Sequence, residues 1–185
     1  MARWMAALFA AGSLCFLLGP FPGYVDLVGP GAAAATFFVG SLCFTAGAAL
    51  QAWVERGAAA LVQLAGTLFF NVTTFRALDT QLSNPDYDAL VWRPDAFGSV
   101  CFLVSGVLAF RADRHRWAGV NLLGCVFFGV AAVAGYVVPA SGSTLDLAAA
   151  NWNTVAGAVC FGACAVHAFR MASPHASSAI PLIDK

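Results

Sequence analysis

Six apolar runs, at about 4–21, 32–53, 58–78, 96–111, 117–138 and 148–170, leave this 185-residue chain almost no room for anything else. A bilayer's hydrocarbon core is about 30 Å thick and takes roughly 20 mostly apolar residues to cross as a helix. The connectors between the runs are too short to hold a soluble domain. Composition agrees, because 61% of the residues are hydrophobic and 10% charged, whereas soluble domains carry about 25% charge. The reading is an all-α membrane protein, a six-transmembrane-helix bundle over residues 1–170, with 171–185 as a disordered cytoplasmic tail.

Charge placement orients the chain. With the N-terminus in the cytoplasm, the inner side holds Arg3, Arg56, Arg111, Arg114, Arg116, Arg170 and Lys185, against Arg76 and Arg93 outside. That is the asymmetry of the positive-inside rule. Both termini are expected inside, in a bacterial inner (plasma) membrane. The first run has an Arg followed by an apolar stretch, as a secretory signal would. Yet Leu14, before Cys15, is not the small residue of a lipoprotein signal, and the run matches the other five. It reads as a crossing. Cys15, Cys43, Cys101, Cys125, Cys160 and Cys164 all fall inside runs and read as small packing residues rather than disulfides or zinc ligands.

Aligned on one glycine, the runs repeat a pentapeptide: GSLCF (Gly12 to Phe16), GSLCF (Gly40 to Phe44), GTLFF (Gly66 to Phe70), GSVCF (Gly98 to Phe102), GCVFF (Gly124 to Phe128) and GAVCF (Gly157 to Phe161). With 18 glycines and 16 phenylalanines in the chain, six such coincidences in six runs are not a compositional accident. Alternate runs are 54 to 59 residues apart, so the unit is a two-helix hairpin used three times, at about 4–53, 58–111 and 117–170. Gly and the Phe four residues on share a helix face. Lipid gives no hydrophobic drive between helices, so close backbone approach and a ring filling the space must hold them together. Each Phe is expected to pack over a neighbour's Gly. The hydroxyls of Ser13, Ser41, Thr67 and Ser99 are expected to bond a carbonyl on their own helix or a partner.

A hairpin whose helices carry GSLCF or GTLFF resembles the YrhK-type domain, a short bacterial unit of two membrane helices rich in G-S-x-x-F patterns. TLFFNVTTF (67–75) and LVWRPDAFGSVCFLVSG (90–106) are similar to stretches of uncharacterised multi-pass actinobacterial proteins. The resemblance implies an integral membrane protein and brings no catalytic residues and no cofactor.

The chemistry of catalysis is sparse. His167 sits one turn from a helix end without a second intramembrane His, so a haem ligated from facing helices is not expected; a helix-end role is. His115 lies in the basic loop RADRHRW and His175 in the tail. No nucleophile with a nearby base and no phosphate-cradling loop appears, and the bases are too few for nucleic acid. The 79–95 connector holds four acids, Tyr87 and Trp92. Asp86 and Asp88 fall short of a calcium site, and the connector reads as a solvated loop with Asp95 capping a helix after Pro94.

No Asp, Glu, Lys or Arg enters mid-membrane, where transport pathways place them. The uncharged polar residues Gln63, Asn71, Asn121 and Asn153 form the candidate polar site, expected where runs three, five and six converge. The functional expectation is a non-catalytic structural, assembly or partner-binding role in the lipid bilayer, with a membrane-protein partner or a second copy of this chain. The alternative is a small-solute or lipid transporter or channel. A continuous polar path would favour the alternative, and a core closed by the six motif phenylalanines the former.

Overall fold

The computed structural model describes residues 1–172, so the expected tail lies, from 173 on, outside the described residues, as does His175. In chain order the elements are α1 (Ala2–Leu18), the short α2 (Tyr24–Val28), α3 (Pro30–Glu55), α4 (Ala58–Arg76), α5 (Asn84–Tyr87), a π-helical turn (Asp88–Trp92), α6 (Arg93–Ala112), α7 (Arg116–Ala134), strands β1 (Val137–Val138) and β2 (Ser143–Thr144), and α8 (Leu147–Met171). Five segments are long and apolar enough to cross a membrane: α3, α4, the continuous helical stretch Asn84–Ala112, α7 and α8. The apolar α1 has 17 residues, a rise of about 26 Å.

Local chemistry sets the ends. Pro30 opens α3 in its first turn, where its missing N–H costs nothing. Asp146 Oδ1 accepts the backbone N–H of Ala149 at 2.9 Å to start α8. β1 and β2 pair antiparallel around a turn in which Gly142 has φ +65°.

The 79–95 connector departs from its expected loop. The helix already begins at Asn84, with the Ser83 hydroxyl accepting from the Asp86 backbone and Pro85 in the first turn. Asp95 therefore lies inside a helix and caps nothing. Pro94 lacks an N–H and crowds the carbonyl four residues back, which disrupts a regular helix. The chain absorbs it with the π turn, in which the Arg93 backbone N–H reaches back five residues to the Asp88 carbonyl. This places Val91 in the core and lets Trp92 Nε1 donate to the Ala132 carbonyl at 2.8 Å.

The long helices form a closed ring. Each of α1, α3, α4, α6 and α7 packs on the next, and α8 packs back on α1. Arg3 lies 4.8 Å over the Phe169 ring, so the first and last helices bring their chain ends to one end of the ring. The turns between α3 and α4 and between α6 and α7 join it there.

The pentapeptides meet pairwise and reciprocally. A Cβ built on Gly12 would lie 2.8 Å from the Phe44 ring, and one on Gly40 3.0 Å from Phe16. In the α4–α6 pair Gly66 faces Phe102 at 2.7 Å and Gly98 faces Phe70 at 3.2 Å. In the α7–α8 pair Gly124 faces Phe161 at 2.8 Å, while Gly157 sits against Phe128. The residue after the glycine works at the other seams. Ser41 and Thr74 hydroxyls bond at 2.8 Å between α3 and α4, Ser99 donates to the Phe128 carbonyl at 3.4 Å between α6 and α7, and Ser13 Cβ faces Gly162 between α1 and α8. Ser13, Ser41 and Thr67 also bond carbonyls three or four residues back on their own helices.

The six phenyls converge on the ring axis, each no more than 8% exposed. Neighbouring helices run in opposite directions, so four residues beyond the glycine is about 6 Å one way on α1, α4 and α7 and about 6 Å the other way on α3, α6 and α8. The result is two staggered layers. Phe16, Phe70 and Phe128 touch one another at 5.7 to 6.5 Å between centroids. Phe161 joins Phe44 at 6.1 Å and Phe102 at 5.9 Å in the layer nearer the chain ends.

Gly66→Ala is expected to lower stability by about 1–3 kcal/mol, because the added methyl overpacks the Phe102 ring. Gly31→Ala, on α3 with nothing within 4 Å of the new carbon, is expected to be neutral or stabilising by about 0.5–1 kcal/mol. Equilibrium unfolding of both variants in the same detergent checks the contrast.

Candidate functional site

Between the lower phenyl layer and the end of the ring that carries the chain ends lies a cavity of about 730 Å³, bordered by all six long helices. Phe44, Phe102 and Phe161 line it and form its floor. Its walls are small residues where a tightly packed bundle would have large ones, among them Ala6, Ala59, Ala109, Ala118 and Ala165. Alanine at such positions neither fills the space nor, with the helices held apart by the phenyl layers, lets the backbones close on it.

The polar side chains of the cavity sit at two levels. Deeper are Gln63, Ser105 and Asn121. Ser105 donates to the Ala59 carbonyl at 2.8 Å and makes a long 3.5 Å contact to Gln63 Oε1. Asn121 has no hydrogen-bond partner among the described residues. At the mouth stand Glu55, Asp113 and His115. Gln51 Nε2 donates to the Glu55 carboxylate at 3.0 Å. His115 Nε2 lies 3.5 Å from Asp113 Oδ2, and its Nδ1 accepts the backbone N–H groups of Trp117 and Ala118, so this histidine caps α7. Among the described residues no Lys or Arg lines the cavity.

Trp117 joins the two levels. Its ring stacks on His167 with centroids 4.3 Å apart and planes 13° off parallel, and its carbonyl accepts from Cys164 Sγ at 3.5 Å. The indole Nε1–H is buried without a partner among the described residues.

The candidate polar residues therefore do not form one site. Gln63 and Asn121, each three residues before its motif glycine on helices running the same way, line the cavity together. Asn71 and Asn153 follow Gly66 and precede Gly157 on the far side of the phenyl layers. Asn153 Nδ2 bonds the Ala149 carbonyl of its own helix at 2.8 Å, and Asn71 Oδ1 is buried unpaired. The six phenyls separate the two pairs. The expected grouping went by polarity and left out height along the helix.

Sequence reasoning missed the cavity itself, the His115 cap and the Trp117–His167 stack. The signal for the cavity lay in the repeat: seven residues past the glycine, toward this end, α6 and α8 carry the small Ser105 and Cys164. On α3 the same position, Gly47, is filled by the Phe9 ring at 3.2 Å. Asp86 and Asp88 are both engaged, Asp86 by the Ser83 hydroxyl at 2.6 Å and Asp88 by Arg93 at 3.1 Å. Among the described residues no three His, Cys, Asp or Glu side chains come together as a metal site, and all six cysteines are free thiols.

No known protein family, curated protein or solved structure matches the chain.

Asn121→Leu is expected to change the stability of the protein by less than about 0.5 kcal/mol, since no protein contact is lost. Ser105→Ala removes a bond across helices and is expected to cost about 0.6–1.7 kcal/mol. Thermal unfolding in detergent separates the two.

Proposed function

We propose that this chain is a non-catalytic integral membrane protein, a scaffold or binding component that crosses the bilayer six times as three two-helix units. Both ends lie in the cytoplasm and the membrane is a bacterial inner membrane. The observation that carries this is the double phenyl layer. A conduit needs a continuous path of water-accessible or polar groups, and six buried rings stand across the axis between Gln63 and Asn71. α1 joins the five longer helices as a crossing because it carries the same Gly–Phe contact to α3 that the other pairs make. The basic residues Arg3, Arg56, Arg111, Arg114, Arg116 and Arg170 gather at the end with the chain ends, in support of the cytoplasmic orientation. Kinship with the YrhK-type hairpin rests on the repeated G-S-x-x-F pattern.

The cavity's place at the end with the chain ends favours one other reading, a carrier resting open to the cytoplasm, in which the three units would have to part at the phenyl layers to open the other way. Reconstituted into phosphatidylcholine vesicles, the protein is expected to give no flux of potassium, protons or small neutral solutes above protein-free vesicles. Saturable uptake of a solute would replace the scaffold reading with the carrier.

A further inference from the structure

We propose that the cavity above Phe44, Phe102 and Phe161 is a binding site for one neutral amphiphile, with its apolar part on the phenyl floor and a carbonyl or hydroxyl group level with Gln63 and Asn121. The inference rests on the closed-core reading, because the floor that would seat the ligand is the same barrier.

Size and lining come first. Ligand cavities run from about 300 to 1,000 Å³ and are mostly apolar with a few placed polar groups; this one is about 730 Å³. A void this large in a close-packed interior forfeits dispersion contacts along its whole lining, and an apolar occupant restores them. The wall is uneven in a way that selects for an amphiphile. At the position three before the motif glycine, α4 and α7 offer carboxamides, Gln63 and Asn121, while α1 offers Phe9. One side of an occupant would meet hydrogen-bonding groups and the other a ring. The carboxamide of Asn121 has no hydrogen-bond partner among the described residues, so an occupant's polar group can bond it without displacing a protein contact.

Charge decides the class of head group. An anionic head would be held at the mouth, where the arginines of this end gather, because among the described residues no Lys or Arg lines the cavity to offset its desolvation at depth. A cationic head would find acids only at the mouth, where Gln51 already binds Glu55 and His115 already faces Asp113. At the depth of the Gln63 and Asn121 carboxamides no described residue of the lining carries a charge of either sign. Carboxamides, which both donate and accept, suit a neutral carbonyl or hydroxyl group.

Native mass spectrometry of the full chain, delipidated in a maltoside detergent, tests this with three probes sharing one hydrocarbon chain: 1-monooleoylglycerol, oleate and oleylamine. One monooleoylglycerol per protein is expected to be retained in preference to the other two. Ala109→Phe, which fills the cavity, is expected to reduce retention at least tenfold; Asn121→Leu, which removes about one hydrogen bond, about fivefold. Val104→Phe, on the 45% exposed outer face of α6, is expected to change nothing. If Ala109→Phe does not fold, Ala168→Phe on the α8 wall replaces it. Retention that ignores the filled cavity, absence of any retained probe, or preference for the charged chains would overturn the assignment. Vesicle flux measured on the same preparation keeps the two readings apart, since lost binding without flux removes only the ligand, whereas flux removes the closed core.

Discussion

A phenyl ring seated on a stretch of helix with no side chain is the contact from which the rest of this structure follows. In water, such a ring would be driven inward by its own hydrophobicity. In a bilayer, the surrounding chains solvate it as well as protein does, and the gain must come from fit: many weak dispersion contacts made at once at close range. Glycine supplies the range. The reciprocal arrangement, each helix giving a ring and receiving one, doubles the contact within a pair and fixes both helices at one height. Edge-to-face geometry adds about 0.5–1.5 kcal/mol per ring pair. Phe128, in ring contact with Phe16, Phe70, Phe102 and Phe161, sits at the centre of this network.

The same contact accounts for the cavity. Once two layers of rings set the spacing of the helices near mid-bundle, the residues beyond them must either be large enough to fill the interval or leave it open. Toward the end with the β hairpin the interval is filled: the π turn drives Val91 and Trp92 against α4 and α7, and Thr73 bonds the Val91 carbonyl at 3.1 Å. Toward the other end the facing positions are alanine, serine and cysteine. The asymmetry lies in side-chain size, since the helices themselves run the full height at both ends.

Much of the fold could be read directly. Apolar runs gave the long helices to within a few residues, except at the start of the fourth, and the Gly-to-Phe spacing identified the residues that meet. The height of each residue along its helix was also implicit, because four residues forward means opposite directions on successive helices; neglecting it merged Asn71 and Asn153 with Gln63 and Asn121. Other features were beyond a one-dimensional reading. The helical start at Asn84 was hidden by Pro94, whose effect depended on whether the backbone could widen by one residue. The stack of Trp117 on His167 joins residues 50 positions apart on helices whose rotation only the packed ring defines. The candidate site was thus half legible: its polar residues were visible, and its boundary was not.

The seam between α8 and α1 has a further meaning. It uses a motif serine, as the seams inside the chain do, and it brings Arg3 beside Phe169. In its packing, the α8–α1 seam is not distinguished from the seams inside the chain. Joining the two ends with a short linker and cutting the turn at 113–115 would give a circular permutant with every interhelical contact intact. Connectivity here sets the order of synthesis and leaves the shape alone.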